Sequence, residues 1–192
     1  FCESIANPGG IVIDLAAIAA IAKKAGVPLI VDNTLATPYL CRPKEHGADI
    51  VLHSLTKFMG GHGNSLGGVI VDCGTYDWLK SKHRYKTLVD PNPSYNGMKL
   101  AETFGNFAFA IAARVMGLRD IGPAIAPMNA FLILTGIETL PLRMARHCEN
   151  AQAVAEWLSK HQKVAWVNYA GLASNPNNAL QKRITPKGAG AV

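Results

Sequence analysis

Four short apolar runs set the pattern of the first third of the chain. They cover residues 1–4, 28–31, 50–53 and 69–71. The central runs are apolar at consecutive positions, which is typical of strands that are covered on both faces. The pattern therefore predicts a mainly parallel sheet with helices on both sides, the three-layer α/β class.

A helical pattern separates the first two runs. Leucine, isoleucine and alanine recur there at helical spacing, so we predict a helix that is capped by Asp14, extends to Ala25 and is ended by Gly26. Residues 4–10 and 60–68 are rich in glycine and asparagine, and we predict that both are loops.

The second half of the chain has a different character. A polar connection over residues 72–97 is followed by three predicted helices and a strand, at 100–118, 123–135, 140–160 and 164–167. We place a domain boundary near Thr139. Residues 1–139 are then part of a large domain whose N-terminal portion is missing, and residues 140–192 begin a small, truncated C-terminal α+β domain.

The charge and hydropathy of the chain limit the classes of partner that we expect. The formal net charge is +6, but its densest basic segment, residues 80–86, holds only Tyr85 as a base-stacking aromatic residue. No stretch reaches the ~18 uncharged apolar residues that a membrane helix needs. We therefore expect neither a nucleic-acid partner nor a membrane partner.

The cysteines do not predict a metal site. Cys2, Cys41, Cys73 and Cys148 form no C-x-x-C pair, and no histidine lies at metal-ligand spacing from them. In so large and apolar a chain a disulfide scaffold is not expected either. We interpret all four as buried free thiols of a cytoplasmic protein.

Two of the apolar runs end in side chains that carry chemistry. Asp32 follows the run at 28–31, and Ser54, Thr56 and Lys57 follow the run at 50–53. Because the carboxyl ends of neighbouring parallel strands share one edge, where open α/β sheets bind ligands, we expect these groups to meet there. Pyridoxal phosphate (PLP) needs a lysine for its Schiff base, a carboxylate for its pyridinium nitrogen and hydroxyls for its phosphate.

Each of these residues has a simpler interpretation when it is taken alone. Lys57 fits an exposed surface lysine, Asp32 a turn or helix-capping residue, and the two hydroxyls helix caps. Asp32 also fits a metal ligand or a ribose contact, and Asn7 fits a loop residue before proline. The combination favours the cofactor site.

The surroundings of Lys57 exclude two other phosphate motifs. The glycine-rich segment at 60–68 lacks the Gly-Lys-Ser/Thr ending of a P-loop and the spacing of a dinucleotide site. His53 and His62 could act as acid–base groups, but we interpret both as structural.

These motifs together resemble the Cys/Met-metabolism PLP-dependent enzymes. The resemblance runs along the whole chain, and it implies the aspartate-aminotransferase-like fold, fold type I, for the large domain. The motifs that carry it are Glu3-Ser4-x-x-Asn7-Pro8, Val31-Asp32-Asn33-Thr34, Gly47-Ala48-Asp49, and His53-Ser54-x-Thr56-Lys57 with Gly61-His62-Gly63.

The resemblance implies a role for each candidate residue. Lys57 would bind PLP as a Schiff base, and Asp32 would pair with the pyridinium nitrogen. Ser54 and Thr56 would hold the phosphate, and Asn7 would contact the phenolic oxygen of the ring. The family's glycine-rich phosphate loop, its PLP-stacking aromatic residue and its arginine for the substrate carboxylate fall outside this sequence.

A finer resemblance concerns members of the family that act on O-acetylhomoserine. It lies in Asp90-Pro91-x-Pro93-Ser94-Tyr95-x-Gly97 and in residues 119–123 and 136–144. It implies γ-replacement, in which O-acetyl-L-homoserine and sulfide or a thiol give L-homocysteine or a thioether and acetate, in methionine biosynthesis. It also implies a homotetramer.

Other activities remain open at this point. Cystathionine γ-synthase, O-succinylhomoserine sulfhydrylase and methionine γ-lyase are sister activities that the same motifs fit. A non-catalytic phosphate-binding α/β module is an alternative of another class.

Overall fold

The predicted sheet forms the centre of the computed structural model, which describes residues 1–190. Its strands lie in the order β1, β4, β5, β6, with bounds Cys2–Glu3, Ile30–Asp32, Ile50–Ser54 and Gly68–Asp72. The first two pairings are parallel and the last is antiparallel, which confirms a mainly parallel sheet. β2 (Ile5–Ala6), which lies within the segment 4–10 expected to be a loop, forms an antiparallel hairpin with β3 (Ile11–Val12) just after that segment.

Eight α-helices are present in residues 1–190. They are α1 Leu15–Ala25, α2 Thr37–Leu40, α3 Lys86–Val89, α4 Leu100–Phe104, α5 Ala108–Ala112, α6 Pro127–Glu138, α7 Leu140–Leu158 and α8 Asn178–Ile184. Short 3₁₀ turns and a π-helical segment at Ala113–Ile121 join some of them. Within the described residues, none of the helices combines the length and apolarity needed to cross a membrane.

Helix α1 has the bounds that its caps predict. The carboxylate of Asp14 accepts a hydrogen bond from the Ala17 N–H at 3.2 Å, which satisfies a free donor of the first turn. Gly26 ends the helix with a left-handed φ of 65°, a conformation that costs glycine little because it has no Cβ. The two cap residues therefore predicted where this helix begins and ends.

Three predictions for the second half were wrong. The helix expected over 100–118 is broken at Gly105, whose positive φ of 58° is incompatible with a continuous helix. The helix expected from residue 123 begins at Pro127, so Pro127 occupies its first turn. Residues 164–167 form no strand, because no other strand of the described part of the chain pairs with them.

Side-chain alternation divides the apolar residues of the sheet between two cores. Val31 and Val51 face a core that contains Leu15 of α1 and Met144 of α7. Ile50 faces a second core that is built from the other side of the sheet. The members of that second core include Trp78, Leu88, Leu100, Ala101 and Ala108. The central strands β4 and β5 are therefore covered on both faces, as their apolar runs predict, whereas Ile70 and Val71 of the edge strand β6 are exposed.

Helix α7 shares the first core with the sheet. Leu140, Met144 and Cys148 are buried in it beside Val31 and Val51. The boundary near Thr139 and the separate C-terminal unit over 140–192 stay predictions, and residues 191 and 192 lie outside the described part of the chain. The packing of α7 shows that the residues on both sides of Thr139 contribute to one core.

All four cysteines are free thiols that contact this first core. Cys41 and Cys148 are buried, and Cys2 and Cys73 pack against the core from partly buried positions. Burial raises the pKa of the Cys41 thiol to about 12, with a smaller contribution from Glu45. Since the thiolate is the reactive form, Cys41 is chemically inert near neutral pH.

A buried asparagine ties the loop after β4 to its neighbours. Asn33 accepts a hydrogen bond from the Ser4 hydroxyl at 2.7 Å and donates one to the Cys41 carbonyl at 2.9 Å. Asn33 and Ser4 are both fully buried. The loop that directly follows Asp32 is therefore anchored through a satisfied internal network.

We predict that Asn33→Ala lowers the free energy of unfolding by at least about 1–3 kcal/mol, because it leaves a buried hydroxyl and a buried carbonyl without partners. Chemical denaturation measures the change. The exposed Asn150 provides the control, and Asn150→Ala is expected to change the value by no more than about 0.5 kcal/mol. Equal effects of the two substitutions would contradict the anchoring role.

We also predict that the buried His53 makes the free energy of unfolding decrease in acid. Burial lowers its pKa, although the Asp32 charge and the Asn33 backbone partly offset this effect. Its Nδ1 is buried without a hydrogen-bond partner in the described residues. As the pH falls below about 6.5, the ordinary histidine value, the unfolded chain binds this proton first, so the free energy of unfolding decreases.

The measurement is the free energy of unfolding from pH 7 to pH 5. His53→Leu is expected to flatten this pH dependence, whereas His83→Leu, at an exposed position, is expected to keep the wild-type slope. A His53→Leu protein with the slope of the wild type would contradict the prediction.

Candidate functional site

The carboxyl ends of three parallel strands meet at one edge of the sheet. Glu3 of β1 lies opposite Asp32 of β4, and Asp32 lies opposite Leu52 of β5. Ser54 therefore lies two residues beyond that level, on the same face of β5 as Leu52. This edge is where open α/β sheets bind ligands.

A cavity of about 660 Å³ opens at this edge. Of the five residues predicted from the sequence, Asn7, Asp32, Ser54 and Lys57 line it. Its size lies within the ~300–1,000 Å³ range of small-molecule sites. The structure thus places the amine and the carboxylate on the walls of one cavity, although they are 25 residues apart in the chain.

Thr56, the fifth predicted residue, does not line the cavity. Its hydroxyl accepts a hydrogen bond from the Gly67 N–H at 3.1 Å and donates one to the Gly67 carbonyl at 3.3 Å. A further bond joins the Leu55 N–H to the same carbonyl at 2.9 Å. In this structure Thr56 closes the loop between β5 and β6.

Thr34 connects the two predicted strand ends. Its N–H donates to the Asp32 carboxylate at 2.9 Å, and its hydroxyl oxygen accepts from the Ser54 N–H at 2.8 Å. The first contact is an Asx turn, for which the Asp-x-Thr spacing is a local signal. The second joins β4 to β5, and no local pattern predicts it.

Two basic side chains of α7 complete the wall of the cavity. Arg143 and His147 are four residues apart, so they share one face of the helix. The His147 ring contacts that of Phe58, which directly follows Lys57, with centroids 5.3 Å apart. The sequence analysis gave neither residue a role at the site, although their i, i+4 spacing within one predicted helix is a signal that could have related them.

The two histidines near Lys57 lie outside the cavity. His53 alternates to the opposite face of β5 from Ser54 and is buried. The Nδ1 of His62 lies 2.7 Å from the Gly60 carbonyl. Both positions support the structural interpretation over an acid–base role.

The residues of the cavity fit the groups of PLP. Within residues 1–190, the Lys57 amine makes no hydrogen bond or ion pair, and the Ser54 hydroxyl makes no hydrogen bond. An amine that has no competing partner can react with an aldehyde, and a free hydroxyl can donate to a phosphate oxygen. Asp32 supplies a carboxylate whose other oxygen is not used by Thr34.

Comparison with known proteins finds relatives that match along the whole chain. The O-acetyl-L-homoserine sulfhydrylase of Leptospira meyeri is 52% identical over 98% of this chain and 44% of its own length. The homocysteine synthase of Schizosaccharomyces pombe is 52% identical over 100% of this chain and 45% of its own length. The chain thus spans about half the length of the curated relatives it matches.

A solved structure shows the same fold. The metY protein of Campylobacter jejuni, crystallised with N′-pyridoxyl-lysine-5′-monophosphate, superposes with a TM-score of 0.92 at 41% identity. The match covers 98% of this chain and 45% of that chain. The sequence model of the Cys/Met metabolism PLP-dependent enzymes matches residues 1–192. This chain is therefore a member of the Cys/Met metabolism PLP-dependent enzyme family.

Proposed function

We propose that the natural protein carrying this chain converts O-acetyl-L-homoserine and sulfide, or a thiol, to L-homocysteine, or a thioether, and acetate. The observation that carries the proposal is the position of Lys57 and Asp32 on the walls of one cavity at the strand edge. The names of the two relatives that are 52% identical support the choice of substrate and product. The reaction is a step of methionine biosynthesis.

The residues of the cavity would hold PLP at several points. Lys57 is the covalent attachment site, and the Asp32 carboxylate keeps the ring nitrogen protonated through its charge. Ser54 donates its hydroxyl to the phosphate, and Asn7 contacts the phenolic oxygen. For Thr56 to join Ser54 in binding the phosphate, its hydroxyl proton must turn away from the Gly67 carbonyl.

When bound, PLP supplies the electron sink for carbanions at the α and β carbons of the substrate. The amine of Lys57, once it is free, would accept the proton from Cα, release it within the site and then accept the proton from Cβ, and protons would return to Cβ and Cα after the sulfur nucleophile has added. Acetate leaves from Cγ and the sulfur nucleophile bonds to the same carbon. The net change replaces a C–O bond by a C–S bond.

We also propose a homotetramer that resides in the cytoplasm. Helix α6 exposes Met128, Phe131 and Leu134, and an exposed apolar patch of this kind is typical of a protein contact surface. The free cysteines fit a reducing compartment. Sedimentation of the natural protein gives the number of subunits.

We predict that Lys57→Arg abolishes covalent attachment of PLP, because a guanidinium keeps the charge but is not a nucleophile at neutral pH. The measurement is borohydride reduction followed by peptide mass spectrometry and a visible absorption spectrum. The matched control, Lys82→Arg at an exposed position, is expected to form the adduct as the wild type does. An undiminished adduct on the Lys57→Arg protein would refute the assignment.

We predict that Asp32→Asn lowers kcat by about 10²–10³-fold, because it removes a fixed charge that stabilises charge development at the cofactor. Asparagine keeps the size of the side chain and can still accept from the Thr34 N–H. Asp77→Asn, in a 3₁₀ turn that is distant from Asp32 in sequence, serves as the control for losing one carboxylate.

Parallel assays of the wild type with O-succinylhomoserine, cystathionine and methionine show whether O-acetylhomoserine is the preferred substrate.

A further inference from the structure

The loop between β5 and β6, residues 55–67, contains Lys57 and is called the Lys57 loop below. One arginine joins this loop to the junction of α6 and α7. The Arg143 guanidinium donates to the Phe58 carbonyl at 2.7 Å and to the Met59 carbonyl at 3.4 Å. It also donates to the Gly136 carbonyl at 2.7 Å and, through Nε, to the Thr139 hydroxyl at 3.0 Å. Phe58 and Met59 directly follow Lys57, so the contact reaches the backbone next to the reactive amine.

The number and spread of these acceptors require an arginine. Three carbonyls and one hydroxyl surround the group, and a planar guanidinium presents five donors in a fixed fork. A lysine ammonium concentrates its donors at one point and cannot span both segments. Burial lowers the pKa of Arg143, but an arginine remains charged at any pH at which the protein is folded.

Glycines let the two segments approach one another. A Cβ at Gly61 would overlap the Arg143 guanidinium, and a Cβ at Gly136 would overlap the backbone of Gly60. Gly61 also has a left-handed φ of 73°. Backbone contact and the guanidinium bridge therefore hold the Lys57 loop against the long helices α6 and α7.

The other hydrogen bonds of residues 55–61 lie within the loop or reach the adjacent Ser54. Leu55 and Thr56 bond to Gly67, the Lys57 N–H donates to the Ser54 carbonyl at 3.3 Å, and the Gly60 and Gly61 N–H groups donate to the Leu55 and Lys57 carbonyls, both at 2.8 Å. The Lys57 side chain is exposed. Its direction therefore depends on the backbone, which Gly67 holds before Lys57 and Arg143 holds after it, since no hydrogen bond or ion pair within residues 1–190 fixes the amine.

We propose that Arg143 is a positioning residue, which clamps the Phe58 and Met59 carbonyls so that the Lys57 amine is held in the cavity with Asp32. This inference rests on the proposed function, because it assumes that Lys57 attaches PLP. A misplacement of about 1 Å can cost about 10²-fold in rate, so a loosened loop has a measurable effect.

Arg143 could instead act as a ligand for the carboxylate of a substrate, since it also lines the cavity. The hydrogen bonds argue against this assignment. The backbone and Thr139 use four of its five N–H groups, and one Nη1–H remains. The two assignments predict different kinetic effects.

The experiment compares Arg143→Met and Arg143→Lys with the wild type and with Arg146→Met in the natural full-length protein. Arg146 lies on the same helix, is exposed, and pairs only with Glu149 at 3.3 Å among the described residues. Apoprotein is mixed with PLP, and the rate of covalent attachment is followed by borohydride trapping and absorbance. Thermal unfolding of each apoprotein, KM and kcat are measured alongside.

We expect attachment to slow by about 10²-fold in Arg143→Met, with no rescue by Arg143→Lys, while Arg146→Met behaves as the wild type. If Arg143→Met does not fold, Arg143→Lys keeps the charge and the aliphatic stem and carries the test alone. An unchanged attachment rate would overturn the proposal. This holds even if the variants unfold at a lower temperature, as a merely structural role predicts, or have a raised KM, as a substrate ligand predicts. If the wild type itself forms no adduct on Lys57, the proposed function fails instead.

Discussion

The register between β4 and β5 is the constraint on which the site depends. Asp32 lies opposite Leu52, so side-chain alternation places Asp32 and Ser54 on one face of the sheet and His53 on the other. A slip of one residue would exchange the two faces, so that Val51 would face the second core and Asp32 would share a face with His53 instead of Ser54. The two apolar cores that require Val31, Val51 and Ile50 inside therefore also hold the polar groups at the edge.

The return of the chain from β5 to β6 determines how Lys57 is presented. Ser54 pairs with Gly68, so residues 55–67 must leave the sheet and come back at almost the same level. The Thr56 hydroxyl and the Leu55 N–H close this loop on Gly67. In consequence Lys57 lies at the mouth of the cavity, and a hydroxyl that the sequence suggested for a ligand stabilises the loop.

Helix α7 links stability with the candidate chemistry. Its buried side, with Met144 and Cys148, packs in the same core as the sheet. Its cavity side presents Arg143 and His147 to the loop after β5. A change in the packing of this helix would therefore shift the backbone next to Lys57, even though Arg143 and Phe58 are more than 80 positions apart in the chain.

Local signals were sufficient to predict much of the fold and to indicate the strand edge at which four of the five candidate residues line a cavity, while the roles of all five stay predictions. The apolar runs predicted the strands, and Asp14 and Gly26 predicted the bounds of α1, because caps and side-chain periodicity act within a few residues. The rule that parallel strands end at one edge then predicted that Asp32 and Lys57 share a cavity.

Only the tertiary structure decided the rest. The Thr34 bridge between strands and the Arg143 clamp join residues that no local pattern relates. The same holds for residues 164–167, which could form a strand only where a partner strand is present. The sequence by itself therefore determined which groups reach the edge of the sheet. Long-range hydrogen bonds decided how they are held there, because their free energy depends on partners that only folding brings together.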